Sequence, residues 1–222
     1  MSTTTTTAAK APQTVWTPSP LRKRWTIAEF DRLHRDGYLR EGSRTYLWDG
    51  EIIEPMTVNR PHVQAVGSLR ELLFLRLPRT AWTVDQDAPV ILREGFKPQP
   101  DLMVLVGPRH IHGTKTPVPA DVALLIEVSD STLSKDLGDH LRAYAGAGVR
   151  QYWVVDLNAR RVDVYANPTR DETGTPCYAD RRSFAPDGSV PLNLIQNEAT
   201  ESYPPIPVSE IFLDGPEPEA AR

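Results

Sequence analysis

The chain has 222 residues, 40% hydrophobic and 24% charged, with a formal net charge of −4. That length supports one domain with a substantial core, and the charge excludes the net positive field of a general nucleic-acid coat while leaving room for a local basic groove. One cysteine, Cys177, excludes a disulfide framework and a cysteine-rich zinc site, no apolar run approaches the roughly 18 residues of a membrane span, and the Thr-rich start lacks the apolar centre of a signal peptide, so a cytoplasmic location is expected.

Residues 1–20, rich in Thr, Ala and Pro, read as a disordered tail, 21–213 as a single domain and 214–222 as a C-terminal tail. Thr26-Ile-Ala-Glu29 is a capping box that opens a helix running to about Asp36 and stopped at Gly37. Tyr46 to Ile53 reads as two short strands around the Asp49-Gly50 turn. Apolar residues recur at helical spacing from Val63 to Leu77, and Pro78 ends that helix. Strands are expected at Trp82–Asp85, Ala88–Leu92 and Asp101–Val106. The following loop holds Arg109, His110, His112 and Lys115 with no acid between Gly107 and Pro119; it is either a solvated loop or a basic loop over a site. A helix from Leu133 to Ala147 closes at Gly148. Strands follow at Gln151–Asp156 and Val162–Ala166. Residues 167–190 read as a loop region with one further strand around Arg181–Phe184, and Pro204–Leu213 should pack back on the body. This order predicts an α/β (α+β) domain with a mixed sheet and packed helices.

The chemistry centres on Asp121-Val-Ala-Leu-Leu-Ile-Glu-Val-Ser129. Six of the eight residues from Val122 to Ser129 are apolar, the composition of a strand buried on both faces, yet Glu127 sits among them. A buried carboxylate needs a cation, donors or a proton. Asp101 opens a second apolar run, Leu102–Val106. If the two strands are neighbours, the acids can converge on a hard divalent ion, which takes carboxylates, water and phosphate oxygens. Asp136, His140 and Tyr144, at i, i+4 and i+8, form one helical stripe after Glu127. Two of these features also have a plainer reading: Asp101 as a turn or cap residue, and Asp136 with His140 as a simple hydrogen-bonded pair.

Asp101 after Pro100, Ile126-Glu127-Val128-Ser129, Ser131-Thr132, Asp136, Tyr144, Gly148-Val149 and Tyr152-Trp153-Val154-Val155-Asp156 occur in an ordered set. With Asp49-Gly50-Glu51, His62 and Ser209-Glu210-Ile211-Phe212, the set resembles the Uma-type restriction endonuclease family of the PD-(D/E)XK nuclease superfamily over about residues 25–213. The resemblance implies a restriction-endonuclease-like core, a central mixed sheet flanked by helices. It also implies Asp101 and Glu127 as ligands of Mg²⁺ or Mn²⁺, and hydrolysis of DNA phosphodiester bonds.

Two positions depart from the family pattern. The superfamily Lys two residues after the Glu is Ser129, and the helical position where the Uma-type family carries Lys is His140. His140 thus takes the catalytic cation's place; an ordinary pKa of about 6.5 would drain its charge between pH 6 and 8, while neighbouring Asp136 favours the imidazolium and extends that window upward. Lys135, one residue before Asp136 and turned about 100° from it, is the other candidate cation. Where the family often has a Glu in the early hairpin the chain has Tyr46, so either Asp49 or Glu51 would have to substitute or the site would bind one metal weakly. His62, Asp136, Tyr144 and Glu51 are expected in support, and Arg109, His112 and Lys115 as nucleic-acid contacts. One site per chain would favour a homodimer for double-strand cleavage. The alternative is a nuclease-fold module that binds or regulates without turnover; a third reading is a structural domain whose acids pair internally.

Overall fold

The computed structural model describes residues 22–40, 42–55 and 57–212; the tails expected over 1–20 and 214–222 lie outside them. Thr26 caps α1 (Ile27–Arg35) through the expected box, accepting from Glu29 N at 3.1 Å while the Glu29 carboxylate accepts from Thr26 N at 2.9 Å. The hairpin of β1 (Tyr46–Trp48) and β2 (Glu51–Ile53) turns through Asp49 and Gly50, at φ 47° and 70°, the backbone such a tight turn demands. Gly50 N donates to Gly95 O at 2.8 Å, and a Cβ on Gly95 would stand 3.2 Å from that nitrogen. Leu47 and Lys97 also exchange backbone hydrogen bonds. These contacts fix the hairpin to the segment leading into the central sheet.

Helix α2 (Arg60–Arg76) starts upstream of the expected Val63, because Asn59 caps it, accepting from His62 N at 3.0 Å. Pro61 fits the first turn, where no N–H partner is needed. His62 is therefore a helical residue at the N-terminal end of α2.

Six strands form one sheet in chain order: β3 (Trp82–Gln86), β4 (Leu102–Val106), β5 (Val122–Ser129), β6 (Gln151–Asp156), β7 (Arg161–Arg170) and β8 (Pro176–Phe184). Neighbours are antiparallel except β5 and β6, which are parallel and so need a crossover. The crossover consists of α3 (Leu133–Lys135), a π-helical turn (Asp136–His140) and α4 (Leu141–Ala147), closed by Gly148 at φ 84°. One continuous helix was expected there.

Two further expectations are corrected. Ala88–Leu92 is extended but joins no sheet; Val90 N and Ile91 N instead donate to Pro98 O and Pro117 O. The region after residue 167 is largely strand: β7 runs to Arg170, β8 is longer than expected, and β9 (Ser189–Gln196) pairs with β10 (Ala199–Pro207).

One sheet face packs on α2 and the β9–β10 hairpin, with Leu69, Leu73, Leu124, Ile126, Leu192 and Ile206 fully buried. Ile211 and Phe212 join that core, as expected for the closing segment. The other face packs on α4 and on Val90 and Phe96. The result is a mixed α+β fold with a central six-stranded mixed sheet.

Candidate functional site

Leu102 on β4 pairs with Ile126 on β5, so Asp101 falls opposite Glu127 and on the same face. The two acids are also laced together. Asp101 N donates to Glu127 Oε2 at 3.3 Å, and Val128 N donates to Asp101 Oδ2 at 2.8 Å. Both side chains are buried. They open on a cleft of about 300 Å³ between the β1–β2 hairpin, the start of α2 and the turn after β5.

Each carboxylate has its own partners. Asp101 Oδ1 accepts from Arg44 Nη2 at 3.0 Å, and Oδ2 lies 3.1 Å from His62 Nε2. Burial pulls the His62 pKa down, but the Asp101 hydrogen bond and charge outweigh it and raise it. Glu127 Oε1 accepts from Tyr144 OH at 2.7 Å. Burial pushes the Glu127 pKa up against the pull of nearby His140, and the Asp101 charge adds to the rise. Asp136 Oδ2 accepts from Ser129 Oγ at 2.7 Å and Thr132 Oγ1 at 2.6 Å. Burial opposes ionisation of Asp136, yet His140 and these two hydroxyls hold its pKa low.

His140 is buried against Trp48, with ring centroids 4.5 Å apart. Its Nδ1 stands 3.0 Å from Asp136 Oδ1 and 3.5 Å from Glu127 Oε1, ion-pair distances without hydrogen-bond alignment. Burial lowers the His140 pKa, but the two carboxylates outweigh it and hold it at about 9. The upward shift expected from Asp136 is thus joined by that of Glu127, and the imidazole stays charged between pH 6 and 8.

The structure thus brings Asp101, Glu127, Asp136, His140, Tyr144 and His62 to one place. It does not bring four other expected residues there. Glu51 points to Arg24 and Arg22, at 3.3 and 3.5 Å. Arg109 pairs with Asp85 and caps Val84 O, and His112 Nε2 lies 2.9 Å from Val106 O. His112 therefore sits at the far end of β4 from Asp101, Arg109 is held along the outer strand β3, and Lys115 is exposed on the same loop.

Arg44 in the cleft and Trp48, packed on His140, escaped the sequence reading, whereas Lys135 was a candidate cation that does line the cleft. Arg44 precedes a strand like any solvated arginine, and only the fold joins it to an acid 57 residues away. Lys135 reaches back to the Tyr46 hydroxyl and lies over the Tyr46 and Trp48 rings. A regular helix would turn it about 100° from Asp136, as the sequence led us to expect. Trp48 carried only a hairpin signal.

A search of curated proteins finds no match. The fold is similar to the crystal structure of a putative nuclease belonging to DUF820 from Anabaena variabilis ATCC 29413. That likeness has 15% sequence identity and a TM-score of 0.59, covering 84% of this chain and 97% of that one. A profile of the Uma2 family, described as "Putative restriction endonuclease", matches residues 27–201. With the match spanning most of its length, the chain belongs to the Uma2 family.

Proposed function

We propose that this chain is a divalent-cation-dependent endonuclease hydrolysing DNA phosphodiester bonds, with Asp101 and Glu127 as the ligands of Mg²⁺ or Mn²⁺. The observation that carries the reading is the lacing of these two buried acids across β4 and β5 at the floor of one cleft. The donor set fits such an ion: both groups offer carboxylate oxygen, and Glu127 is an acid whose charge burial alone disfavours. When bound, the ion would polarise a phosphoryl oxygen and acidify a water.

The chain's own residues do the rest. His62 and Val128 N hold Asp101, and Tyr144 orients Glu127. Arg44 and Lys135 line the cleft and place positive charge where a phosphodiester would enter. His140 occupies the family's Lys position, held cationic by Asp136 and Glu127. A cytoplasmic site of action and a homodimer, giving one site per strand, belong to this reading.

The test is plasmid nicking with Mg²⁺ or Mn²⁺. Asp101→Asn and Glu127→Gln each remove a ligand charge while keeping shape, and each should abolish nicking with the fold intact. Wild-type rates in either variant would overturn the proposal.

A second reading is a nuclease-fold module that binds DNA without turnover. The burial of His140 against Trp48 favours it, because a shorter imidazole replaces the family's mobile ammonium. DNA binding by the wild-type chain with no nicking under either ion would establish it.

A further inference from the structure

Glu127, Asp136 and His140 are all buried, and each offers one ligand atom within 4.8 Å of the others. Two of the spacings carry information. His140 Nδ1 is 3.0 Å from Asp136 Oδ1 and 3.5 Å from Glu127 Oε1. Ligands at about 2.1 Å from one ion stand about 3.0 Å apart at a right angle and about 3.4 Å apart at the tetrahedral angle. The observed pairs have the edges of such a polyhedron.

They do not have the geometry of hydrogen bonds. Both imidazole nitrogens are buried with no aligned partner, although an oxygen lies 3.0 Å from one of them. A buried ring nitrogen that has ion-pair neighbours but no aligned hydrogen bond is a position that a water or an ion can complete.

The carboxylates are supported as metal ligands are. Ser129 and Thr132 occupy Asp136 Oδ2, leaving Oδ1 toward the imidazole. Tyr144 steadies Glu127 Oε1 from behind. Hydroxyl donors of this kind fix ligand orientation in metal sites. The nearby ammonium of Lys135 is engaged with the Tyr46 hydroxyl. Glu127 has one oxygen on each side, Oε2 toward Asp101 and Oε1 toward His140.

We infer that Glu127, Asp136 and His140 form a cation site of their own beside the Asp101–Glu127 pair, one that takes a transition-metal dication such as Co²⁺, Mn²⁺ or Zn²⁺ in preference to Mg²⁺. An imidazole donor suits those ions, whereas Mg²⁺ keeps to oxygen and water. The ion takes the place of the Nδ1 proton, since ligation uses neutral imidazole. The site shares Glu127 with the proposed nuclease centre but does not require turnover, so an inactive protein would still bind the ion.

The test uses the tag-free full chain, stripped of metal and titrated with Co²⁺, read by visible ligand-field absorption and by calorimetry. Wild type should bind Co²⁺ with bands that persist in about 100-fold excess Mg²⁺. His140→Gln and Asp136→Asn should each weaken Co²⁺ by at least about tenfold, while Asp101→Asn should leave it within about threefold. His140→Lys, which keeps a cation but removes the nitrogen donor, should lose Co²⁺ as His140→Gln does, and serves in its place if that variant does not fold. In wild type, Zn²⁺ should shift the Nδ1 resonance of a single histidine in ¹⁵N spectra. Retention of wild-type Co²⁺ affinity in both His140 variants would overturn the inference. So would loss of Co²⁺ in Asp101→Asn equal to that in His140→Gln, or no histidine shift with Zn²⁺. Absence of nicking with Co²⁺ binding intact would count against the nuclease reading alone.

Discussion

Arg44 Nη2 bridges two acids, standing 3.0 Å from Asp101 Oδ1 and 2.6 Å from Asp87 Oδ1. This fixed positive charge satisfies Asp101 and at the same time opposes any cation approaching it. Arg44→Gln should therefore tighten Mg²⁺ or Mn²⁺ binding by at least about threefold in calorimetry. It should also cost about 1–3 kcal/mol of stability in metal-free buffer, because a buried carboxylate loses a charged donor. Unchanged or weaker metal affinity would show that the guanidinium does not compete for the site.

The His140–Asp136–Glu127 group sets a pH dependence of stability. The folded pKa of His140, about 9, exceeds its ordinary 6.5, so its contribution is complete below pH 6.5 and is lost as pH rises through 9. Glu127, also raised, acts in the same direction from pH 4.5 upward. In urea denaturation with EDTA, wild type should lose up to ~3 kcal/mol more than His140→Gln between pH 6 and 9, at about 1.4 kcal/mol per pH unit. Parallel losses in the two proteins would show that His140 is not the titrating group.

Because His140 keeps its charge, cleavage should not depend on it in the way an ordinary imidazole would dictate. His140→Lys should change nicking by a similar factor at pH 6 and pH 8, while His140→Ala should be impaired at both. A Lys advantage confined to pH 8 would mean that the imidazole discharges inside that interval.

Tyr144 is fully buried and donates its hydroxyl to Glu127. Burial, reinforced by the Glu127 charge, drives its pKa far up, so it remains a donor at every working pH. Tyr144→Phe should slow nicking about tenfold, the usual effect of losing a group behind a metal ligand, and cost about 1.5–3 kcal/mol for a hydrogen bond to a charged group. Wild-type rates in the Phe variant would reduce Tyr144 to a packing residue.

Where local chemistry decides an element, it was legible in the chain. The Thr26–Glu29 box, the Asp49-Gly50 turn, Gly148 and the apolar run around Glu127 each name their structure through nearest neighbours. The same holds for the pairing of Asp101 with Glu127, which needs only adjacent strands. The β9–β10 hairpin was missed although Val190, Leu192 and Leu194 alternate with exposed Ser189, Pro191 and Asn193. Pro191, Pro204 and Pro205 argued against a strand, but a two-stranded ribbon has only edge strands, where proline is tolerated. Ala88–Leu92 misled in the opposite sense, its apolar residues filling core beside the sheet rather than joining it. Arg44 could not have been found locally, because its partner is set by tertiary contact alone.

The π-turn at Asp136–His140 gives the site a dependence on helix irregularity. Each α-helical residue turns about 100°, so eight residues on, Tyr144 would stand about 80° away from Asp136 in a regular helix. A π-turn absorbs one residue, returning Tyr144 to within about 20° of the Asp136 direction. Were that turn to relax to regular α-helix with every residue kept, everything after it would swing round by about 100°. The arrangement of acid and phenol is thus encoded partly in the irregular turn between them, and a change that regularised the turn would dismantle it with every functional side chain still in the sequence.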